Sequence, residues 1–161
     1  MKPKVYLETT IISYLTAWRS PQLVMAAHQE STRNWWDDER HSFDLYISEA
    51  VVQEASLGDP NAAQKRLEAL SDLAELRITD EARLLAKGLV ERTPLPKTAR
   101  VDALHIATAT VHGMDYLLTW NCRHIANAAM RKSLAAVCEA AGYEIPVICT
   151  PLELIEEQHN D

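Results

Sequence analysis

Short apolar runs alternate along the chain with longer segments in which apolar residues recur at helical spacing. Each short run is bounded by glycine, proline or polar residues, which is typical of β-strands. The runs that we interpret as strands are residues 5–7, residues 43–47, "AELRI", "DYLLTW" and "IPVICT". Because these runs are apolar throughout and alternate with helical segments, the sequence predicts an α/β domain whose short parallel sheet is covered by helices on both faces.

The longer segments predict helices, and residues suited to helix ends flank several of them. The predicted helices are "IISYL", residues 23–40, "EAVVQEASL", "NAAQKRLEALSDL", "EARLLAKGLVERT", "ARVDALHIATATVHG", "CRHIANAAMRKSLAAVCEAAG" and "LELIEE". Ser48 and Asp80 are suited to N-caps, and Gly58, Gly113 and Gly142 are suited to helix ends. Since the sequence has no repeat, low-complexity tract or linker, we expect residues 1–161 to form a single domain.

Composition narrows the class of protein. A chain of 161 residues with 47% hydrophobic and 24% charged residues has the make-up of a folded globular domain. The apolar run at the N-terminus is too short for a signal peptide, and no stretch is long enough to span a bilayer. The three cysteines are odd in number and lack CxxC spacing, which argues against a disulfide frame or a zinc site. We therefore expect a cytoplasmic protein with no membrane association.

The net charge of −7 bears on the choice of partner. A generic nucleic-acid binder usually has a basic surface, so this charge argues against that class. It does not exclude a nuclease, because acidic residues that hold divalent cations are negative until the metal binds. A nucleotide-binding α/β protein is disfavoured because "ETT", after the first strand, is not a glycine-rich phosphate loop.

Four polar side chains stand at unusual places in this pattern. Glu8 ends the first strand and Asn121 follows "DYLLTW", so both lie at the carboxyl edge of a parallel sheet, where α/β folds bind ligands. Glu54 and Asp102 each interrupt an apolar row of a predicted helix. Inward carboxylates repel one another unless a cation neutralises them, and a set of oxygen ligands favours Mg²⁺ or Mn²⁺ over zinc.

Each carboxylate also has a purely structural interpretation. Asp102 lies early in its helix, where the helix dipole favours an acid. Glu54 has Lys65 and Arg66 as possible ion-pair partners. Glu8 is harder to explain in this way, because acids are poor strand formers. The pattern alone leaves these alternatives open.

Four fragments in order, "VYLETTIISYL", "DLYISEAVVQEA", "DALHIATA" and "YLLTWNCRHIAN", resemble a PIN-domain protein, and most nearly the PIN-like toxin ribonucleases of bacterial toxin–antitoxin pairs. The resemblance runs from Lys4 to the last strand. It implies a three-layer fold and an acidic pocket that binds Mg²⁺ or Mn²⁺ and cleaves RNA phosphodiester bonds. The family's acidic positions fall on Glu8, Glu54 and Asp102, and the fourth falls on Asn121.

Two of these positions depart from the family's pattern. The first is usually Asp, and Glu8 is one methylene longer. The fourth is often Asp, and Asn121 keeps a carbonyl oxygen but loses a charge, which weakens the expectation of a second tightly bound ion. Thr9 and Thr119 are expected to support the site through hydrogen bonds. His105 either orients a water or phosphate or is a hydrogen-bonded core histidine, and the role of His124 is equally open.

The partners follow from the same resemblance. The expected partners are an RNA substrate, an antitoxin protein that blocks the pocket, and a second copy of the chain in a homodimer. Candidate phosphate contacts are Arg19, Arg33, Arg100 and Arg123, with scattered solvated charges as the alternative. Trp120 either stacks on a base or packs against a helix. The main alternative function is a PIN-like module that binds RNA or protein without cleaving RNA.

Overall fold

The structure is a computed structural model that describes residues 1–155. Strands and helices alternate along this part of the chain. The strands are β1 (Lys4–Leu7), β2 (Asp44–Ser48), β3 (Ala74–Leu76), β4 (Tyr116–Leu118) and β5 (Val147–Cys149). The helices are α1 (Thr9–Thr16), α2 (Leu23–Asp38), α3 (Glu49–Ala55), α4 (Pro60–Leu70), α5 (Asp80–Arg92), α6 (Arg100–Val111) and α7 (Arg131–Ala140), with a short 3-10 turn at Arg40–Ser42.

The five strands form one sheet in the order β3-β2-β1-β4-β5, and every neighbouring pair is parallel. This confirms the predicted α/β class. The central strand β1 is covered on both faces, since Val5, Tyr6 and Leu7 are fully buried. From β1 the chain first builds outward to β2 and β3, and then returns to add β4 and β5 on the other side. The connections diverge between β1 and β4, which is where open α/β sheets form a ligand crevice.

Most helix ends follow the predicted chemistry, with two differences. Thr79, and not Asp80, caps α5, because the Thr79 hydroxyl accepts a hydrogen bond from the backbone N–H of Ala82 at 3.1 Å. Ser48 does occupy the N-cap position of α3, but its hydroxyl bonds to another side chain and not to the helix. Gly113 lies two residues after the end of α6 and has φ of +69°, a conformation that favours glycine.

The prediction of one long helix over residues 122–142 is wrong at its start. Residues 122–130 form turns, and the helix begins only at Arg131. The side-chain oxygen of Asn121 accepts from the N–H of His124 at 3.0 Å, and the side-chain oxygen of Asn127 accepts from that of Ala129 at 3.0 Å. The Asn121 bond is of the kind that caps a helix start. The helical pattern is interrupted at Asn127, whose amide also donates to the carbonyl of Arg123 at 2.9 Å. Gly142, with φ of +89°, follows the helix end as predicted.

The predicted final helix "LELIEE" is not formed where the structure describes it, since residues 151–153 form a turn. Glu156 and Glu157 lie outside the described residues. Within residues 1–155, no helix combines the length and hydrophobicity that crossing a membrane requires. Cys138 and Cys149 are buried, whereas Cys122 is exposed.

Candidate metal centre

Glu8 lies at the carboxyl end of the central strand and is the residue that precedes α1. Its backbone is extended, with φ of −77° and ψ of 157°, and the residue is only 3% exposed. Two threonine hydroxyls donate to its Oε1, from Thr10 at 2.5 Å and from Thr119 at 2.6 Å. The same hydroxyl oxygens accept hydrogen bonds from the N–H groups of Trp120 and Asn121, each at 2.9 Å. Because each hydroxyl is already an acceptor, its proton is directed at the carboxylate.

The environment of Glu8 opposes its ionisation. Burial raises the pKa of its carboxyl above the ordinary value, while nearby His105 and the hydroxyls of Thr10 and Thr119 lower it by less. The carboxylate therefore has hydrogen-bond donors but lacks a full countercharge. A cation bound beside it would supply that countercharge.

Glu54 reaches the same crevice from α3, with its side chain 36% exposed. Its Oε1 accepts from the Thr9 hydroxyl at 2.7 Å and contacts His105 Nε2 at 2.5 Å. Burial raises the pKa of Glu54, but the hydrogen bond and charge of His105 and the Thr9 hydroxyl outweigh it, so the net shift is downward. Neither alternative ion pair is formed. Arg66 donates to the carbonyls of Ala55 and Leu57, and Lys65 Nζ lies over the Trp18 ring, 4.8 Å from its centroid.

His105 belongs to a buried chain of hydrogen bonds that ends on Glu54. Its Nδ1 lies 2.7 Å from the Tyr6 hydroxyl, which in turn lies 2.7 Å from Ser48 Oγ. Tyr6, Ser48 and His105 are all fully buried. Both ring nitrogens of His105 have partners, so it is the hydrogen-bonded core histidine of the second expectation, and one of its partners is the site carboxylate of Glu54. A role in orienting a water or phosphate stays a prediction.

Asp102 lies in the first turn of α6, as the helix-dipole interpretation also requires, with its side chain 21% exposed. Its Oδ1 accepts from Asn121 Nδ2 at 3.1 Å, and its Oδ2 lies 2.9 Å from His124 Nδ1. Asn121 Oδ1 accepts from the backbone N–H of His124. Asn121 thus uses both ends of its amide inside the protein, so its observed role is to connect the strand end to Asp102.

Two hydrogen-bond networks lie at the carboxyl edge of the sheet: one joins Glu8, Asn121 and Asp102, and the other joins Glu54 and His105. Ligand atoms of Glu8, Glu54 and His105 lie within 4.8 Å of one another, and this group of potential ligands does not include Asp102. Asp102 is linked to Glu8 through Asn121 and Thr119.

The donor atoms of this site fit a divalent cation that prefers oxygen ligands. The two glutamates can offer carboxylate oxygens, whereas His105 is not placed to offer a nitrogen. Within residues 1–155, every side-chain hydrogen bond to Glu8 or Glu54 ends on Oε1, which leaves Oε2 of each acid free of side-chain donors. His105 has no free ring nitrogen to offer a metal. Carboxylate oxygens held in this way suit Mg²⁺ or Mn²⁺.

The four arginines chosen from sequence are not gathered in one place by any contact in the described residues. Arg100 and Arg123 are exposed at the start of α6 and in the turn after Asn121, next to the site in sequence. Arg19 is exposed between α1 and α2, whereas Arg33 donates to the carbonyl of Ala17 at 2.7 Å. Their role in RNA binding stays a prediction.

Trp120 is packed and not free to stack on a base. It lies between two aromatic rings, with centroid distances of 4.1 Å to His28 and 6.0 Å to Tyr14. Its indole N–H donates to the Thr32 hydroxyl at 2.7 Å, and the residue is 7% exposed. The packing interpretation of Trp120 is therefore the correct one.

Sequence reasoning missed several members of the network. Thr10 was overlooked beside Thr9, although it stands two residues after Glu8 and bonds to it. Tyr6 carries a polar hydroxyl into an otherwise aliphatic strand, and a buried phenol normally has a partner. Nothing local to Ser48 indicates that its hydroxyl faces Tyr6 and not the helix end.

The fold and the acidic crevice define a class of α/β protein whose site lies at the switch point of a parallel sheet. The profile of the PIN domain matches residues 5–129. The match covers most of the chain, and the protein therefore belongs to the PIN domain family. No significant match was found among curated proteins.

Two solved structures share the fold at low sequence identity. A crystal structure of VapC20 from Mycobacterium tuberculosis, described as a toxin that cleaves the sarcin–ricin loop, is 16% identical with a TM-score of 0.54; the alignment covers 70% of this chain and 86% of that one. A chain of VapBC2 from Rickettsia felis, crystallised with a DNA fragment from their promoter, is 16% identical with a TM-score of 0.56, covering 91% of this chain and 98% of that one. At this identity the likeness concerns the fold.

Proposed function

We propose that this protein is a Mg²⁺- or Mn²⁺-dependent endoribonuclease that hydrolyses RNA phosphodiester bonds. The observation that carries the proposal is the pair of glutamates, Glu8 and Glu54, whose carboxylates converge at the switch point of a PIN-domain sheet. Asp102 joins them through the hydrogen bonds of Asn121 and Thr119. Membership of the PIN domain family supports nuclease chemistry at this place.

In this proposal the acids hold the cation and the surrounding polar residues hold the acids. The Oε2 atoms of Glu8 and Glu54, to which no side chain of residues 1–155 donates, would hold the ion, and Asp102 would join them directly or through a water. When bound, the ion supplies Lewis acidity toward the phosphate and lowers the pKa of a water that attacks phosphorus. Thr9 and His105 keep the Glu54 carboxylate in one orientation before substrate binds, which reduces the reorganisation needed during the reaction.

The site supports one tightly held ion more than two. Asn121, where a fourth acid is expected, adds no charge and directs its amide at Asp102 and His124. His124 places a further hydrogen-bonding group on Asp102 at 2.9 Å. Because Asn121 is neutral, the site has fewer negative charges with which to hold a second divalent cation.

The direct test is cleavage of a mixed RNA pool with Mg²⁺, with Mn²⁺ and with EDTA. Glu54→Gln and Asp102→Asn should each abolish metal-dependent cleavage while leaving the thermal unfolding profile near that of the wild type. Glu49→Gln is the matched control, because Glu49 is an exposed acid on the same helix as Glu54. Equal cleavage by Glu54→Gln and Glu49→Gln would show that the acids of the crevice do not take part in cleavage.

The alternative, a PIN-like module that binds without cleaving, predicts a weak metal site. Binding of an ion to the folded state alone stabilises that state by about 2.7 kcal/mol at a metal concentration of 100 Kd. For a domain of this size that corresponds to a rise in Tm of roughly 5–10 °C. A rise of this size with Mn²⁺ that disappears in Glu54→Gln supports the loaded site, and no rise supports the binding module.

We further propose that the protein is the toxin of a toxin–antitoxin pair, acts in the cytoplasm as a homodimer, and is blocked by an antitoxin. The structural neighbours support this role, since one is described as a toxin that cleaves the sarcin–ricin loop and the other is a VapBC assembly. Induced expression should arrest bacterial growth, and Asp102→Asn should remove the arrest. Arrest that persists in Asp102→Asn contradicts a toxic nuclease, and light scattering of the purified protein tests the dimer.

A further inference from the structure

The imidazole of His124 is held against the candidate metal centre by its ring and by its backbone. Its Nδ1 lies 2.9 Å from Asp102 Oδ2, and its backbone N–H donates to Asn121 Oδ1 at 3.0 Å. The next residue, Ile125, is buried, so the turn that carries His124 is anchored in the core. The ring therefore lies beside Asp102 before any ligand binds.

The second ring nitrogen of His124 is accessible to a ligand. Within residues 1–155, Nε2 makes no hydrogen bond, and the only buried side-chain polar atom without a partner is the Thr108 hydroxyl. The side chain of His124 is 24% exposed. His105 differs in this respect, because both of its ring nitrogens have partners inside the protein. His124 is thus the histidine of this site that can contact a substrate.

Asp102 determines which kind of partner Nε2 of His124 can take. An ionised carboxylate only accepts hydrogen bonds, so Nδ1 carries the proton of this contact. In a neutral imidazole one nitrogen donates and the other accepts. Nε2 therefore presents a lone pair, and its ligand must be a hydrogen-bond donor.

The backbone of RNA contains one such donor. The oxygens of a phosphodiester and of the ribose ring only accept hydrogen bonds, whereas the ribose 2′-hydroxyl both donates and accepts. Amino groups on base edges also donate, but they lie farther from the phosphate than the 2′-hydroxyl does. Because His124 contacts an acid of the metal centre directly, the donor nearest to the phosphate is the one that fits.

From these observations we infer that His124 Nε2 accepts a hydrogen bond from the ribose 2′-hydroxyl next to the cleaved bond, and that this contact selects RNA over DNA. The inference rests on the proposed ribonuclease function. The hydroxyl is not the nucleophile, since water attacks phosphorus in that proposal. An RNA in which fluorine replaces each 2′-hydroxyl therefore keeps a cleavable bond and loses only the donor.

The first measurement tests the protonation of the His124 ring without metal or substrate. Long-range ¹H–¹⁵N NMR of the full-length protein in EDTA distinguishes protonated from unprotonated ring nitrogens, and the spectrum of His124→Ala identifies the His124 signals. At pH 8, where an ordinary imidazole is neutral, Nδ1 should carry the proton and Nε2 should not. A proton on Nε2 overturns the inference, because that nitrogen could then not accept.

The second measurement compares kcat/KM in Mn²⁺ for a mixed-sequence RNA and for its 2′-fluoro counterpart. The wild type should cleave the RNA about fivefold more efficiently, which is the effect of one neutral hydrogen bond. His124→Ala should lose this preference and cleave both substrates with similar efficiency. His41→Ala, which changes an exposed histidine in the 3-10 turn before β2, is the matched control and should keep the preference.

A histidine that only supports Asp102 gives a different result. His124→Ala would then lower cleavage of both substrates by the same factor and leave their ratio unchanged. That result, or equal cleavage of the two substrates by the wild type, overturns the inference and leaves the proposed function intact. Cleavage of neither substrate by the wild type overturns the proposed function and the inference with it.

Discussion

Removing the Tyr6 hydroxyl tests whether the buried chain that ends on Glu54 stabilises the protein. The phenol lies 2.7 Å from both Ser48 Oγ and His105 Nδ1, and all three residues are fully buried. Burial raises the pKa of Tyr6 above its ordinary value, so the hydroxyl stays neutral and can both donate and accept. Tyr6→Phe keeps the ring and leaves both neighbours without their shared partner.

The expected cost follows from those two orphaned groups. A buried polar group without a partner costs about 1–3 kcal/mol, so with two such groups Tyr6→Phe should lower the free energy of unfolding by roughly 2–6 kcal/mol. For a domain of this size that corresponds to a fall in Tm of roughly 4–24 °C. His105 also loses one of its two anchors, so Glu54 should be held less firmly and the Mn²⁺-induced rise in Tm should shrink.

Urea unfolding measures the first effect, and thermal unfolding with and without Mn²⁺ measures the second. Tyr143→Phe is the matched control, because Tyr143 is half-buried and its hydroxyl has no hydrogen bond among residues 1–155. A shifted midpoint with an unchanged slope would report a change in stability alone. The control should change the free energy of unfolding by less than about 0.5 kcal/mol.

A double-mutant cycle separates the hydrogen bonds from general packing. Ser48→Ala alone removes one partner of the Tyr6 hydroxyl, and Ser48→Ala combined with Tyr6→Phe leaves only His105 without its partner. The double variant should therefore be more stable than the sum of the single effects by about 1 kcal/mol. Additive effects would show that the Tyr6–Ser48 hydrogen bond contributes no coupling energy, and a Tyr6→Phe variant as stable as the wild type would show that the chain contributes nothing to stability.

Three further outcomes are expected. Burial raises the pKa of Glu8, so the metal-free folded state is destabilised as pH rises above the ordinary glutamate pKa. The Tm of Glu8→Gln in EDTA should therefore exceed that of the wild type by more at pH 8 than at pH 4.5. A difference in Tm that does not depend on pH would contradict this reasoning. Thr119→Val removes the hydroxyl that bridges Asn121 N–H and Glu8 and should weaken Mn²⁺ binding in calorimetry, whereas Thr119→Ser should restore it. Gly113→Ala meets no atom within 4 Å but must adopt φ of +69°, so it should cost about 1 kcal/mol in urea unfolding, and a stabilised variant would refute the strain.

The fold was predictable because its determinants are local. Short apolar runs mark the strands, and glycines with positive φ stand at Gly113 and Gly142 where helix ends were expected. The alternation of strand and helix was then enough to predict a parallel sheet. The errors were local as well: Thr79 and Asp80 are both good caps, and the pattern does not say which one is used.

The candidate site was predictable only as a set of positions. Glu8, Glu54 and Asp102 break apolar patterns, which identifies them without revealing their neighbours. Their hydrogen-bond partners come from distant parts of the chain: Tyr6 and His105 are separated by 99 positions. No periodicity or spacing reports such a contact, because it depends on how the sheet and helices pack.

The turn after β4 shows how local side-chain bonds override a helical composition. Residues 122–130 have a composition that suits a helix, and the Asn121 side-chain oxygen accepts from the N–H of His124 as an N-cap does. The helical turn stops at Asn127, whose side chain accepts from the N–H of Ala129 and donates to the carbonyl of Arg123. Helix α7 therefore begins only at Arg131.

The central place of β1 in the sheet has a consequence for biosynthesis. Glu8 emerges from the ribosome early, but Thr119, which donates to it, follows 111 positions later. A nascent chain that stops before β4 lacks one of the two strands that pair with β1, and it also lacks Asn121, which donates to Asp102. A polypeptide that ends before β4 therefore lacks the assembled candidate metal centre.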